Sequence, residues 1–424
     1  METLRYINFA VSVLFFICYA YQFLYIPVPW LKKAKPHAAP RANRYAVLIC
    51  ARNEAAVIGD LIASIHSQTY DRDLISIFVM ADNCTDDTAL IARCAGATAY
   101  ERFNTEQVGK GYALQTLLHY LDRDYPQGFD GYFVFDADNI LQPDYIQRMN
   151  ETFSDGHDIV TSYRNSKNYG DNWISAGYAL WFLRESRYLN HARYLLGTSC
   201  AVSGTGFLFS RQVLEEVGPW PFHLLTEDIE FSIHQITRGR KVAFCPDAVL
   251  YDEQPTTFRQ SWRQRQRWAK GYIQVFQHYG RDLLRGIFRG SWSCFDMSMN
   301  IMPAFFLSAV SIVCNLASIV LGLVGGGSTA IALQSLGELL LGVYGALFVV
   351  GAITTVTEWR AIHTAAWKKV LYAFTFPLFM ATYIPIAISA LFCRVEWKPI
   401  EHRVNSAELR RRKDGKALPF GKAM

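Results

Sequence analysis

The sequence predicts an α/β domain set between apolar helices long enough to cross a membrane. Three observations point to it. Between residues 45 and 260, short apolar runs alternate with segments whose apolar residues recur at helical spacing. Both ends of the chain instead contain uncharged apolar runs of about twenty residues. The acidic and polar residues of the middle part fall just after the apolar runs, where the sheets of α/β proteins bind ligands.

Composition narrows the class. The 424 residues are 51% hydrophobic and carry a formal net charge of +5, too mild an excess for a nucleic-acid partner. The nine cysteines are dispersed with no CxxC pair. That argues against a disulfide framework and a zinc site, and for buried reduced thiols.

The first apolar run, Ile7–Ile26, predicts an N-terminal transmembrane helix within residues 1–30. A signal peptide fits poorly, because the basic residues Lys32, Lys33, Lys35, Arg41 and Arg44 follow the run. These hold the next segment in the cytosol.

Residues 43–257 then read as the cytosolic α/β domain. "RYAVLICARNE" is a buried strand, and "AAVIGDLIASIHSQ" a helix. "LISIFVMADNCTDDTALIARCAG" repeats strand, turn and helix. "GKGYALQTLLHYL" is another helix and "GYFVFDADNI" another strand. The alternation alone predicts a parallel sheet. No GxGxxG or GxxxxGK[ST] occurs at the turns, so the crevice suits a metal-borne phosphate better than a dinucleotide.

Residues 258–300 follow as interface helices. Tyr272, Val275, Phe276 and Tyr279 form an apolar stripe predicted to meet lipid. Residues 301–393 hold two clear spans, Ile301–Val324 and Leu336–Val356. They also hold Val370–Phe392, where Pro377 and Pro385 favour a re-entrant segment over a full crossing. Residues 394–424 form a basic tail, kept cytosolic by the positive-inside rule.

Single residues in this frame carry chemistry. Asp136 and Asp138 in "FDADN" are two apart at a strand end, so both carboxylates point to one side and can hold a divalent cation. Asp82, ending "FVMAD", can accept from a nucleobase or ribose, or close an Asx turn. Lys110 opens a helix and can meet a diphosphate. Glu227 and Asp228 in "LLTEDIEF" offer a carboxylate base; the plainer reading is Thr226 as a helix cap with acids in the first turn. In "QRQRW", Gln264, Arg267 and Trp268 share one helical face. Arginine grips phosphate oxygens bidentately, and indole offers a platform to a sugar ring.

Each motif alone is weak. In order, Asp82, Asp136-Ala137-Asp138, Thr226-Glu227-Asp228 and Gln264-Arg265-Gln266-Arg267-Trp268 ahead of membrane helices resemble the processive family 2 glycosyltransferases. These include the cellulose, hyaluronan, chitin and poly-N-acetylglucosamine synthases. The resemblance implies a GT-A fold with a Rossmann-like mixed sheet that binds a UDP-sugar. It implies Asp82 on the uridine with Glu54 and Lys110 nearby, and Asp138 on Mg2+ or Mn2+ with Asp136 supporting. It further implies Asp228 as general base, flanked by Glu227, with Gln264 and Arg267 on the diphosphate and Trp268 on the acceptor sugar.

The product implied is a β-linked polysaccharide exported across the cell membrane. The sequence does not name the sugar. UDP-glucose and a β-glucan are preferred over poly-N-acetylglucosamine or another β-linked polymer. Transfer of one sugar to a lipid carrier and a non-catalytic nucleotide-sugar-binding scaffold are the alternatives. The small membrane part leaves room for a homo-oligomer or accessory export subunits in completing a channel.

Overall fold

The computed structural model describes residues 2–302, 330–395 and 402, with scattered positions between 310 and 323. About half of the predicted span Ile301–Val324 and almost all of the basic tail lie outside the described residues.

Eight strands form one sheet: β1 (Tyr45–Ala51), β2 (Ile75–Asp82), β3 (Thr98–Arg102), β4 (Gly131–Asp136), β5 (Ile140–Leu141), β6 (Ile159–Ser166), β7 (Phe207–Ser210) and β8 (Ala243–Asp252). Their order is β3-β2-β1-β4-β7-β6-β8-β5. The alternation of strands and helices holds for the first four strands, which are parallel. A fully parallel sheet is not what forms. The four-residue β7 inserts between β4 and β6 and runs against both, and β5 runs against β8. The observed sheet is therefore mixed, as the resemblance implied.

Helices cover both faces of the sheet. Val47 and Ile49 of β1 pack with Leu61, Ile62 and Ile65 on one side. Ala46 and Leu48, one residue out of step, pack with Leu114, Leu117 and Leu118 on the other. In chain order the helices are α1 (Glu2–Tyr19), α2 (Tyr21–Tyr25), α3 (Val28–Leu31), α4 (Ile58–His66), α5 (Thr88–Cys94), α6 (Lys110–Asp124), α7 (Tyr145–Ser154) and α8 (Trp173–Arg184). Next come α9 (His191–Leu196), α10 (Arg211–Val217), α11 (Glu227–Thr237), α12 (Phe258–Phe288), α13 (Trp292–Ile301), α14 (Ala330–Thr357), α15 (Ala366–Ala381) and α16 (Tyr383–Phe392).

Among the described residues, two segments are long and apolar enough to cross a membrane: Leu336–Thr357 and Ala366–Phe392. The second is two helices meeting at Thr382, with Pro377 inside α15. α15 lies so close to α8 that a Cβ on Gly177 would overlap the Phe379 ring.

The α12 stripe departs from expectation. Val275 is fully buried, in a cluster with Ile229 and Ile233 of α11 and Met297 of α13; Tyr272 and Tyr279 pack against the same cluster. Only Phe276 of the stripe is exposed. An amphipathic pattern records that one face is apolar, and here α11 and α13 cover that face in place of lipid.

Candidate active site

The strand ends build one side of the site. β1 runs into Asn53 and β2 into Asn83, and both asparagines take positive φ, 58° and 54°, which asparagine tolerates better than most residues. Asn53 Oδ1 accepts from the Thr85 amide at 2.8 Å. Asn83 Oδ1 accepts from the Asn104 amide at 2.8 Å. The loops carrying Glu54 and Asp82 are thereby pinned. Asp82 is buried and pairs with Arg102 at 2.6 Å, so one carboxylate oxygen is already engaged.

Lys110 is the first residue of α6. Its ammonium donates to Asp136 Oδ1 at 2.5 Å and to the Gly204 carbonyl at 2.7 Å. Burial works against the charge, but the carboxylates of Asp136 and Glu227 outweigh it and raise the Lys110 pKa. Asp138 is buried two residues beyond, accepting from the Glu253 amide at 2.7 Å. Burial alone would raise the Asp138 pKa. The charges of His402, Lys167 and Arg164, with the Glu253 amide, hold it below the usual range. Glu54 accepts from His402 at 2.9 Å, and Asp138 and Glu54 together lift His402 to about 10 against its own burial.

The acids of "TED" open α11. Thr226 is not the side-chain cap that the plainer reading assigns: its hydroxyl makes no capping bond and is buried without a partner among the described residues. Burial, then the charge of neighbouring Asp228, pushes Glu227 up to about 7. Burial likewise raises Asp228, opposed by backbone N–H groups and by Lys110.

α12 supplies the opposite wall. Gln264, Arg267 and Trp268 are half-buried, and Gln264 Oε1 is buried without a partner among the described residues. Trp268 sets its edge against Tyr178 and Phe182, with ring centroids 5.7 and 6.1 Å apart. The residues between them reach the C-terminal helices: Arg265 donates to the Phe379 carbonyl at 3.0 Å and Gln266 to Ser389 Oγ at 2.9 Å.

One cavity of about 1050 Å³ brings all ten sequence-predicted residues together: Glu54, Asp82, Lys110, Asp136, Asp138, Glu227, Asp228, Gln264, Arg267 and Trp268. It continues between the apolar helices, past Phe16, Phe23, Leu339, Val343, Leu347 and Phe376. Sequence reasoning missed four residues that line the same cavity. Arg164 and Asp252, paired at the ends of β6 and β8, carried the strand-end signal but were passed over. His402 carried none, being 348 residues from Glu54. Glu185 sits inside a helical run that otherwise reads as core.

The donor set fits a divalent ion of the two-carboxylate kind. Among the described residues no three His, Cys, Asp or Glu side chains gather as metal ligands. Asp136 and Asp138 face one cavity, and Mg2+ is typically held by one or two carboxylates with substrate phosphates completing its shell.

The chain is 26% identical over 276 residues to the beta-monoglucosyldiacylglycerol synthase of Synechocystis, covering 59% of this chain and 54% of that one. It is 26% identical over 234 residues to the poly-beta-1,6-N-acetyl-D-glucosamine synthase of Staphylococcus aureus, covering 54% of each. The chain thus spans about half the length of these curated relatives. A mannosyltransferase from Pyrobaculum calidifontis, solved with GDP-Man and Mn2+, has the same fold: TM-score 0.58 at 18% identity, over 92% of this chain and 99% of that one. Residues 40–271 match the family described as glycosyltransferase like family 2, more than half of the chain, and the chain belongs to that family.

Proposed function

We propose that the protein transfers a hexose, with inversion, from a UDP-sugar to the growing end of a β-linked polysaccharide, and that the polymer leaves along the apolar helices. UDP-glucose is the preferred donor. The supporting observation is that one cavity holds the strand-end carboxylates, Asp228 and the Gln264–Arg267–Trp268 face together, and runs on between those helices.

In this reading Asp228 takes the proton of an acceptor hydroxyl, and its raised pKa suits a base working near neutral pH. The acceptor oxygen bonds to the anomeric carbon. The carbon–oxygen bond to the diphosphate breaks, and its electron pair leaves with UDP. Arg267, Gln264 and Lys110 meet the charge that develops there. Asp82 offers its unengaged oxygen to the uridine, beside Glu54, and Glu227 sets the field around the base. Trp268 stacks on the acceptor sugar. Asp138, supported by Asp136, would hold Mg2+ or Mn2+, which when bound supplies positive charge to the leaving diphosphate. The domain faces the cytosol of a multi-pass membrane protein, and a second copy or an accessory subunit completes the export path.

The test offers purified protein UDP-glucose, UDP-N-acetylglucosamine and UDP-glucuronate separately with Mg2+. Any polymer is sized on a gel and digested with linkage-specific hydrolases. Transfer from none of the three sinks the reading. Unchanged UDP release by Asp228→Asn removes the base assignment.

A second reading, one sugar moved to a lipid acceptor, is favoured by the apolar lining beyond the carboxylates, including Phe16, Phe23, Val343 and Leu347. Its product would carry a single sugar and partition into organic solvent.

A further inference from the structure

α8 does not end at Arg184. The chain continues through a π-helical turn, Glu185–Asn190, into α9. Such turns are rare and concentrate at functional sites, because the extra residue re-aims the side chains that follow. Here the turn opens with Glu185, whose carboxyl lines the same cavity as Asp228, Trp268 and Tyr272.

Burial raises the Glu185 pKa, opposed by the charges of Arg164, Arg193 and Arg184 and by the Ser203 hydroxyl, and the carboxyl is left uncommitted. Ser203 Oγ donates to its Oε2 at 3.2 Å. Arg164 is taken up by Asp252 and by the Ser203 carbonyl, the latter at 2.8 Å. Arg184, next in the chain, reaches Gln22 at 2.6 Å. Among the described residues Glu185 forms no ion pair. Ser203 leads into Gly204, whose carbonyl holds Lys110 and whose backbone N–H acts on Asp228. Tyr272 stands on α12, one turn beyond Trp268, and feels the charges of both Glu185 and Asp228. The Asp136–Lys110 contact and the buried Asp138 belong to the strand-end wall; Glu185 belongs to the side of Trp268.

We propose that Glu185 selects the acceptor: its carboxylate accepts a hydrogen bond from a second hydroxyl of a neutral sugar whose nucleophilic hydroxyl lies at Asp228. The inference rests on the reading of Asp228 as the base. A charged acceptor oxygen makes strong hydrogen bonds to hydroxyls, and a site built to hold a hydroxyl discriminates steeply against partners that lack one. The same charge repels an acceptor that is itself anionic. Glu185 therefore favours the end of a neutral glycan over a uronic-acid end, and over a diacylglycerol with its single free hydroxyl.

The experiment uses the full chain in detergent with UDP-glucose and Mg2+. The acceptors are cellobiose and the same disaccharide with its non-reducing glucose oxidised to glucuronic acid. Glu185→Ala is expected to raise the KM for cellobiose about tenfold or more, with the donor KM moved less than about twofold. Glu185→Gln, which keeps the shape and one acceptor oxygen, is expected to recover part of that loss. It should also shrink the preference for cellobiose over the uronic acid by about tenfold. Donor and acceptor KM rising together, or an unchanged preference in Glu185→Gln, overturns the assignment. If the alanine variant does not fold, the preference ratio of the isosteric variant still decides. Wild-type transfer to neither disaccharide sinks the reaction assignment itself, and this one with it.

Discussion

A Cβ placed on Gly271 would lie 2.5 Å from Oγ1 and 2.6 Å from Cγ2 of Thr226. Thr226 is itself buried, so nothing at this crossing can step aside cheaply. The helix carrying Gln264, Arg267 and Trp268 is seated directly on the corner carrying Glu227 and Asp228. Two effects of Gly271→Ala oppose each other. Inside a helix the change should stabilise by about 1 kcal/mol, whereas overpacking costs about 1–3 kcal/mol. We expect overpacking to win: thermal denaturation shows a net loss, and UDP release falls because α12 is levered off the acids. A more stable, fully active variant would mean that the contact is looser than described.

The acid pair should govern the pH profile. Burial and the neighbouring Asp228 raise Glu227 from 4.5 to about 7, and Asp228 is raised as well. Between about pH 4.5 and 7 the native state therefore keeps a proton that the unfolded chain has released. Stability should fall as pH rises through that window, while activity, on the proposal that Asp228 is the base, should rise. The ascending limb of kcat/KM should centre near 7 and belong to the pair rather than to one residue. Glu227→Gln removes the like charge beside Asp228 and should move the limb to lower pH. A limb that stays put separates Asp228 from the observed titration.

Arg267 should not be replaceable by lysine. A guanidinium presents a planar fork to phosphate oxygens, whereas an ammonium is a point charge. Loss of one preorganised donor to a developing charge costs about 10²–10³ in kcat. Arg267→Ala is expected in that range and Arg267→Lys within about tenfold of it. Steady-state kinetics settles the point, and a lysine variant with near-native kcat would place Arg267 away from the leaving group.

Arg193 and Asp296 are fully buried and doubly bonded, at 2.7 and 2.8 Å. Tyr21 and Tyr25 donate to the same carboxylate at 2.8 and 2.9 Å, and Trp292 donates to Tyr25 at 2.7 Å. This cluster ties the N-terminal helices to the catalytic domain. Asp296→Ala strands a buried cation and should cost about 3–5 kcal/mol. Replacing both partners with apolar residues should recover most of it. Denaturation of the purified variants measures both, and a loss below about 1 kcal/mol for Asp296→Ala contradicts so dry a site.

Much of the sheet is legible from residues 44–138, because strands buried on both faces read as continuous apolar runs. Asp82, Asp136 and Asp138 stand out as the first carboxylates after such runs. The direction of β7 is not legible, since four residues of "FLFS" fit either orientation. The two-residue β5 is too short to signal at all. The α12 stripe reads equally well for lipid or protein, and packing against Ile229, Ile233 and Met297 decides. Glu185 and His402 owe their places to contacts made far along the chain, which no local pattern encodes.

On α12, Gln264 and Arg267 face the cavity while Arg265 and Gln266, between them, hold α15 and α16. The distance separating the two sets is less than one helical turn, about 5.4 Å. A tilt or lift of α15 and α16 should therefore act on Arg267 through the same stretch of helix. Bilayer thickness becomes a variable of turnover: vesicles of short- and long-chain lipids should give different rates at equal substrate.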